Sequence, residues 1–394
     1  MSTARRDGTS SGTSTEREQY LPVDVLLEIV ARSDVTTVVR CTTASRTLRR
    51  AILDLAFRRR IATEGGAGGG FNPALLSSVS YRALHLLSMK HTHHVMHIPS
   101  SAQPRARLDA SSLPGPFSFQ PVASRDGLLL LHVYKYNRRW KLQLRVCDAF
   151  TGHATPLPRI AMSEPYAHVF LSVGDAGGSY EILVTDTDMR LQKFSSKHGQ
   201  WGAVRQISIA GHETNSHRLD VSCPAVIGRT VYWPCSLYNS WHCWDRILAM
   251  DGDTAEGTIM ELPLDIMMAR KRDTDHRLAS VCGVLSLLAV ETGGISMWTL
   301  TPASATWSRQ LVIDMVEIEK VVGPVDNTPI HFSLEGFGER SGAVIVWVEN
   351  GDLLWLDLGT KVVKRLHNQE GSLVSRFFLH EIVLVSLLQA MKYF

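Results

Sequence analysis

Four histidines, His91, His93, His94 and His97, stand in an H-x-H-H-x-x-H run. At that spacing, alternate strand positions or a helical i, i+4 pair can aim two imidazoles at one zinc ion. No Cys, Asp or Glu lies between Arg82 and Pro104 to complete or orient such a site, so the expectation is polar histidines and no metal. Cys235 and Cys243 frame a stretch with Tyr238, Trp241 and His242, which Trp244 extends. This is either a binding loop, a Cys-His pair, or a connection whose rings pack on a sheet. The YKYNRRWK stretch, Tyr134 to Lys141, mixes rings and cations as single-strand nucleic-acid binders do. A hairpin tip holding Arg138 and Arg139 in water explains it equally, and no nucleic-acid partner is expected. The glycines at 65, 66, 68, 69 and 70 lack the Lys-Ser/Thr of a phosphate loop. Gly338-Glu-Arg-Ser-Gly342 sets its serine one place late for a hydrolase nucleophile elbow. The pattern predicts no catalytic residue, no cofactor and no enzyme activity.

The elements that carry these residues follow from composition and periodicity. The chain has 394 residues, 44% hydrophobic and 20% charged, with a formal charge of +3, which is globular composition and enough length for more than one domain. No apolar run reaches the roughly 18 residues of a membrane span, and the polar N-terminus has no secretory core. A cytosolic and/or nuclear protein without a membrane partner is expected. Six scattered cysteines without a C-x-x-C pair read as reduced, mostly buried thiols.

Residues 1–19 are too polar to fold and form a leader. Over 20–62 the apolar spacing turns helical: Leu26, Ile29 and Val30, then Val35, Val38 and Val39, then Ala44, Leu48, Ile52 and Leu55. Three short helices are predicted, with Pro22 and Asp24 in the first turn of the first, Asp34 capping the second, and the third over 43–60. Arg40, Arg46, Arg49, Arg50, Arg58, Arg59 and Arg60 face a single acid, Asp54, in this region. A face complementing an acidic partner explains them better than a DNA reader, because the rest of the protein is neutral. Residues 63–72 are a Gly-rich linker.

From 73 to 394 a brief helical patch, 74–89, gives way to strand texture. Strands end in polar turns near Asp148, Ser195, Asp251, Thr301 and Asp357, and several strands open after Gly127, Gly228, Gly283 and Gly342. A period of about 50 residues is one four-stranded propeller blade. The architecture predicted is α+β and multidomain: a small three-helix unit, then an all-β propeller-like domain of five or six degenerate blades, closed by a C-terminal strand and a docked helix.

The segment LPVDVLLEIVARSDVTTVVRCTTASRTLRRAI, Leu21 to Ile52, resembles an F-box. It has the opening Leu-Pro, Asp24, the Leu26-x-Glu28-Ile29 block, Val38 to Cys41, and the closing Arg49-Arg50-x-Ile52. Ser33, Asp34 and Leu48 stand where the family usually has Leu, Pro and Trp. The phrases SRDGLLLL, KFSSKHGQW, GRTVYW, GVLSLL and LWLDLGTKVV resemble the F-box-associated β domains of plant, especially grass, F-box proteins. The resemblance implies the substrate-receptor subunit of a Skp-cullin-F-box ubiquitin ligase. Its F-box would dock a Skp-type adaptor, and through it a cullin, while its β domain holds a protein target for ubiquitination.

Eight residues are the expected adaptor anchors, shared between the partner and the motif's own core: Leu21, Pro22, Leu26, Ile29, Val38, Val39, Leu48 and Ile52. Tyr238, Trp241, His242 and Trp244 are the expected target-binding residues. The alternatives are a propeller scaffold outside any ligase, or a propeller enzyme.

Overall fold

The computed structural model describes residues 21–33, 35–54, 56–57, 71–85, 90–97, 117–135, 143–149, 152–162, 167–174, 178–211, 217–220, 224–237, 244–269, 276–323, 331–348, 351–368, 372–381, 383 and 388. The expected leader, Asp34 and the Gly-rich linker up to Gly70 lie outside these residues.

Three helices open the described chain: α1 Val23–Ala31, α2 Val35–Ala44 and α3 Arg46–Ile52. Asp24 stands in the first turn of α1, where the helix dipole favours a carboxylate. The third helix starts at Arg46 and not at 43, because Ser45 leaves helical geometry and its hydroxyl accepts the Leu48 amide, capping a new helix. Val30, Val38, Ile52 and Phe57 form the core of this unit. Leu388, near the far end of the chain, is fully buried in the same cluster.

Everything else described is mainly β. Blade 1 is β3 Phe117–Arg125, β4 Leu128–Lys135, β5 Gln143–Asp148 and β6 Ala154–Pro156. Blade 2 is β7 Ala167–Val173, β8 Tyr180–Thr185 and β9 Arg190–Ser195, edged by β10 Gln200–Trp201 and β11 Arg205–Gln206. Blade 3 takes β12 Ser208–Ile209, β13 His217–Leu219, β14 Ala225–Ile227, β15 Thr230–Leu237, β16 Arg246–Asp251 and β17 Glu256–Glu261. Blade 4 is β18 His276–Val281, β19 Val284–Glu291, β20 Gly294–Thr301 and β21 Thr306–Asp314. Blade 5 is β22 Phe332–Phe337, β23 Ala343–Val348, β24 Asp352–Asp357 and β25 Val363–Asn368. Short helices α4 Leu264–Ala269 and α5 Met315–Val322 join blades 3 to 4 and 4 to 5.

The chain ends meet in a sixth, three-stranded sheet of order β2-β1-β26, with β1 Leu76–His85, β2 Lys90–His97 and β26 Ser372–Glu381. Strand β26 lies beside β3 on one side and β22 on the other. The innermost strands therefore form a closed ring: β26, β3, β7, β14, β18, β22. Five blades of continuous chain and one closing sheet make a β-propeller. The predicted helical patch over 74–89 is corrected here to one 3-10 turn, Pro73–Leu75, followed by β1. Residues 86–89 lie outside the described residues; Leu76 pairs with β26 and Leu84 with both β2 and β26, so tertiary pairing overrides the local helical spacing.

Each seam between neighbouring sheets has its own apolar cluster. Phe170 and Ile182 meet Leu130 and Val146 between blades 1 and 2, and Leu171 and Leu183 meet Val231 and Trp233 between blades 2 and 3. Further clusters fill the seams 3 to 4, 4 to 5, 5 to closing sheet, and closing sheet to blade 1. Burial of apolar area at every seam, at ~25 cal/mol per Å2, is what holds the blades edge to edge.

The repeat read in the sequence is the end of each blade's third strand. Four residues beyond Asp148, Ser195, Asp251, Thr301 and Asp357, the chain turns to positive φ, at Gly152 (72°), Gly199 (65°), Ala255 (67°), Ala305 (51°) and Lys361 (63°). In four of the five, that residue's amide donates back to the carbonyl of the strand's last residue, at 2.8 to 3.0 Å. Asp251 Oδ1 accepts the amides of Asp253 and Thr254, and Asp357 Oδ1 that of Gly359, so an aspartate pre-forms the turn. Trp201 and Trp307 reach back to the preceding blade, donating Nε1–H to Pro158 O (2.9 Å) and Glu261 O (3.4 Å).

Leu388→Ala should cost about 2–4 kcal/mol, felt by the helical unit, because it empties a fully buried site in a small core. Limited proteolysis should show faster cleavage within 21–57 and unchanged propeller fragments.

Candidate functional site: an exposed helical stripe and an axial cavity

The eight expected adaptor contacts divide by burial. Leu21, Pro22 and Ile29 are exposed, Leu26, Val39 and Leu48 half-buried, and Val38 and Ile52 fully buried. Val38 and Ile52 fall on the core side of that division, since a three-helix unit has few other side chains to fill its interior. Leu48 packs against that core too. Val25 was missed. Val25 (44% exposed) and Ile29 (52%) stand four apart and share one face of α1, and Leu21 (54%) is exposed just before the helix.

Of the four expected target contacts, Tyr238, Trp241 and His242 lie outside the described residues. Trp244 is corrected: it is 6% exposed, packed in the seam between blades 3 and 4, with the His276 ring edge-on at 5.9 Å. Indole area of that size is better buried between blades than held in water. Cys235 is also buried, and desolvation pushes its thiol up to about 12, so it holds no thiolate for nucleophilic work at neutral pH. The four clustered histidines occupy strand β2, which removes the helical i, i+4 arrangement. Among the described residues no group of three or more His, Cys, Asp or Glu is arranged to hold a metal.

The inner strands enclose an axial cavity of about 340 Å3. Its apolar wall includes Phe170, Leu334, Phe337 and Phe377, and its polar wall carries charges of both signs. The three arginines act as staples between sheets. Arg125 donates to Phe170 O (3.1 Å) and Val226 O (3.5 Å), carrying β3 across to blades 2 and 3. Arg277 donates to Glu335 O at 2.9 Å, joining β18 to β22. Arg340 pairs with Asp126 (2.8 Å from Nε, 2.7 Å from Nη2), tying blade 5 to blade 1 past the end of β26. Glu381, on β26 itself, accepts the amides of Arg340 (3.1 Å) and Ser341 (2.6 Å).

Burial disfavours charge on the carboxyls of this wall. Desolvation raises Glu335, Glu381 and Glu339, the last to about 7, with Arg125 pulling Glu339 down and the charges of Glu381 and Asp126 pushing it further up. Next door, His132 and His168 meet Nε2 to Nε2 at 3.0 Å, so one ring donates and the other accepts.

No sequence signal assembles this wall, because Arg125, Arg277, Arg340 and Glu381 are far apart in the chain. Glu339 and Arg340 did stand out in the sequence, but only as part of a run that fails as a hydrolase elbow.

Fold and site together define the class: a β-propeller with a few N-terminal helices. A family profile described as a domain of unknown function (DUF7595) matches residues 78–394, and the chain belongs to that family. No curated protein matches. Among solved structures, the chain is similar to YCF48 bound to D1 peptide, at 9% identity and TM-score 0.36, over 75% of this chain and 82% of that chain. It is also similar to a structural genomics protein of unknown function from Bacteroides thetaiotaomicron VPI-5482, at 11% identity and TM-score 0.39, over 65% of this chain and 60% of that one. Among the described residues no helix is long and apolar enough to cross a membrane.

Two outcomes are expected. Trp244→Ala should destabilise the propeller by about 3–5 kcal/mol in a denaturant titration, the cost of emptying a buried indole site. Glu339→Gln should be pH-dependent. A carboxyl whose folded pKa is raised gives stability that is full below its unfolded pKa and is lost as pH rises through the folded value. The Gln variant should therefore match the wild type near pH 4 and become the more stable of the two as pH rises through about 7.

Proposed function

We propose that the chain is the substrate-receptor subunit of a Skp-cullin-F-box ubiquitin ligase. Its helical unit docks the Skp-type adaptor, which connects it to a cullin, and its propeller holds a protein target. The observation that carries this reading is a set of exposed large apolar side chains at the start of the helical unit, Val25 and Ile29 one turn apart on α1 and Leu21 just before its N-cap. A small unit whose interior is already filled by Val30, Val38 and Ile52 gains nothing from such a stripe in water, whereas a partner covering it gains buried area. The F-box resemblance over Leu21 to Ile52 names the partner. Arg46 and Arg50, exposed on α3, add a cationic face that suits an acidic partner and speeds encounter.

The subunit does no bond chemistry on this reading. Its contribution is proximity, raising the effective concentration of target lysines near the activated ubiquitin carried elsewhere in the complex. Thiols such as Cys147 and Cys235, both buried and raised to about 11 and about 12, take no part in ubiquitin transfer. A propeller binding protein outside any ligase is the second reading, favoured by the propeller itself, which accounts for most of the chain without the helices.

Val25→Asp and Ile29→Asp should each weaken adaptor capture at least tenfold in a pull-down with purified adaptor, because a carboxylate buried in an apolar contact costs several kcal/mol. Both sites are exposed, so thermal unfolding should be unchanged. Full capture by both variants, or no capture by the wild type, overturns the ligase reading and leaves the binding-protein reading.

A further inference from the structure

We propose that the contact between His132 and His168 is an acid-operated latch on the seam between blades 1 and 2, which holds the seam shut at neutral pH and releases it when the second of two protons arrives. The inference is independent of the ligase reading.

The latch sits in an apolar place. His132 is on β4 and His168 on β7, 8% and 7% exposed, and their Nε2 atoms meet at 3.0 Å with the ring planes at 81°. Leu130, Leu144, Phe170 and Val184 pack the seam around them. Facing His132 in register are Gln120 on β3 and Leu144 on β5, and facing His168 is Val184 on β8, so the flanking strands present no charge at these positions.

The contact limits how many protons the pair can hold. Two neutral imidazoles have four ring nitrogens and two protons, one of them between the two Nε2 atoms. A first added proton can go to Nδ1 of the donor ring, which leaves the hydrogen bond in place and charge-assisted. A second has only the lone pair of the accepting Nε2 left to take, and two N–H groups then point at each other. Two imidazoliums cannot keep this contact.

The surroundings do not compensate at acid pH. His168 lines the axial cavity, whose other ionisable groups are the cations Arg125, Arg277 and Arg340, the ring of His276, and the acids Asp126, Asp220, Glu335, Glu339 and Glu381. Arg125 is bonded to Phe170 O at 3.1 Å, two residues along β7 from His168, which fixes a positive charge beside the pair. Burial disfavours charge on Glu335, Glu339 and Glu381, and Glu339, raised to about 7, is mostly neutral by the pH near 6.5 at which imidazole ordinarily charges. Asp126 is held by Arg340. Tyr180, which packs against the same seam, is uncharged throughout this range, its hydroxyl raised further by burial. The wall thus grows more cationic as pH falls, against a second imidazolium.

The unfolded chain takes both protons as pH falls through about 6.5, while the closed latch takes one at most. Its contribution to stability is therefore full above that pH and lost below it, by up to about tenfold in the unfolding constant per pH unit for the excluded proton.

Denaturant titrations of the full chain between about pH 7 and about pH 5 test this with the wild type, His132→Gln, His168→Gln and the double variant. In either single variant the remaining imidazole can charge and donate to the amide oxygen. Acid should therefore raise the unfolding constant about tenfold less than in the wild type, and the double variant should lose no more of the acid response than each single one. Single variants as acid-sensitive as the wild type, or singles that each lose half of what the double loses, overturn the proposal. Amide exchange on the wild type needs no variant. From about pH 7 to about pH 5, corrected for the intrinsic rate, β4 and β7 should lose more protection than β19 and β22, the equivalent strands of the seam between blades 4 and 5. Equal losses at the two seams overturn it as well.

Discussion

The structure depends on one pairing, that of β26 with β1. Val79 faces Leu379 across it, so residues from opposite ends of the propeller share one sheet. Without that sheet, blades 1 and 5 would each expose an apolar seam, the one holding Leu129 and Leu131, the other Ala343 and Ile345. The closing sheet covers both, with Phe377 and Leu379 toward blade 5 and Phe378 toward blade 1. Such non-local pairing is slow to form, because most of the chain must be in place before it is rewarded. It also defines the axis: the cavity exists because six inner strands converge on it. The polar group at its edge, Glu381 with Arg340 and Asp126, sits where the closing strand ends.

The same strand relates the propeller to the helical unit. Beyond β26 the chain returns to the helices, where Leu388 fills their core beside Val38 and Ile52. One leucine beyond the closing strand thus completes the core of the N-terminal unit. The two candidate surfaces differ in physics. The α1 stripe is apolar and exposed, which suits a protein partner that buries area. The cavity is small and polar, walled by arginines and by carboxyls whose burial disfavours charge, which suits a compact ligand.

Much of this was legible in the sequence. The five polar turns mark the third-strand ends of the five continuous blades, and four of them close with the same backbone hydrogen bond, two with an aspartate carboxylate added. Gly127 and Gly283 reveal two hairpins because, with Asp126 and Cys282, they take the paired positive φ that a type I′ turn requires. The final strand was legible too, although not its partner: nothing local in Leu76 to His85 says that β26 will pair with it, and the leucine spacing there imitates a helix. Trp244 was misread because a tryptophan next to a polar loop has the same sequence signature whether it faces solvent or a neighbouring blade. Within the helical unit, hydrophobic spacing identified the helices but not which side faces inward. Val38 and Val25 look alike until the packing of Ile52 and Leu388 decides between them.

The central claim is that the exposed stripe on α1 is an adaptor-docking surface carried by a propeller that does not itself change. Amide hydrogen exchange of the full chain, with and without purified Skp-type adaptor, tests it most directly. The account predicts slowed exchange across α1 and in the neighbouring helices, with the blades and the closing sheet unaltered. Unchanged exchange throughout residues 21–57 at saturating adaptor, or protection confined to the propeller, would contradict it.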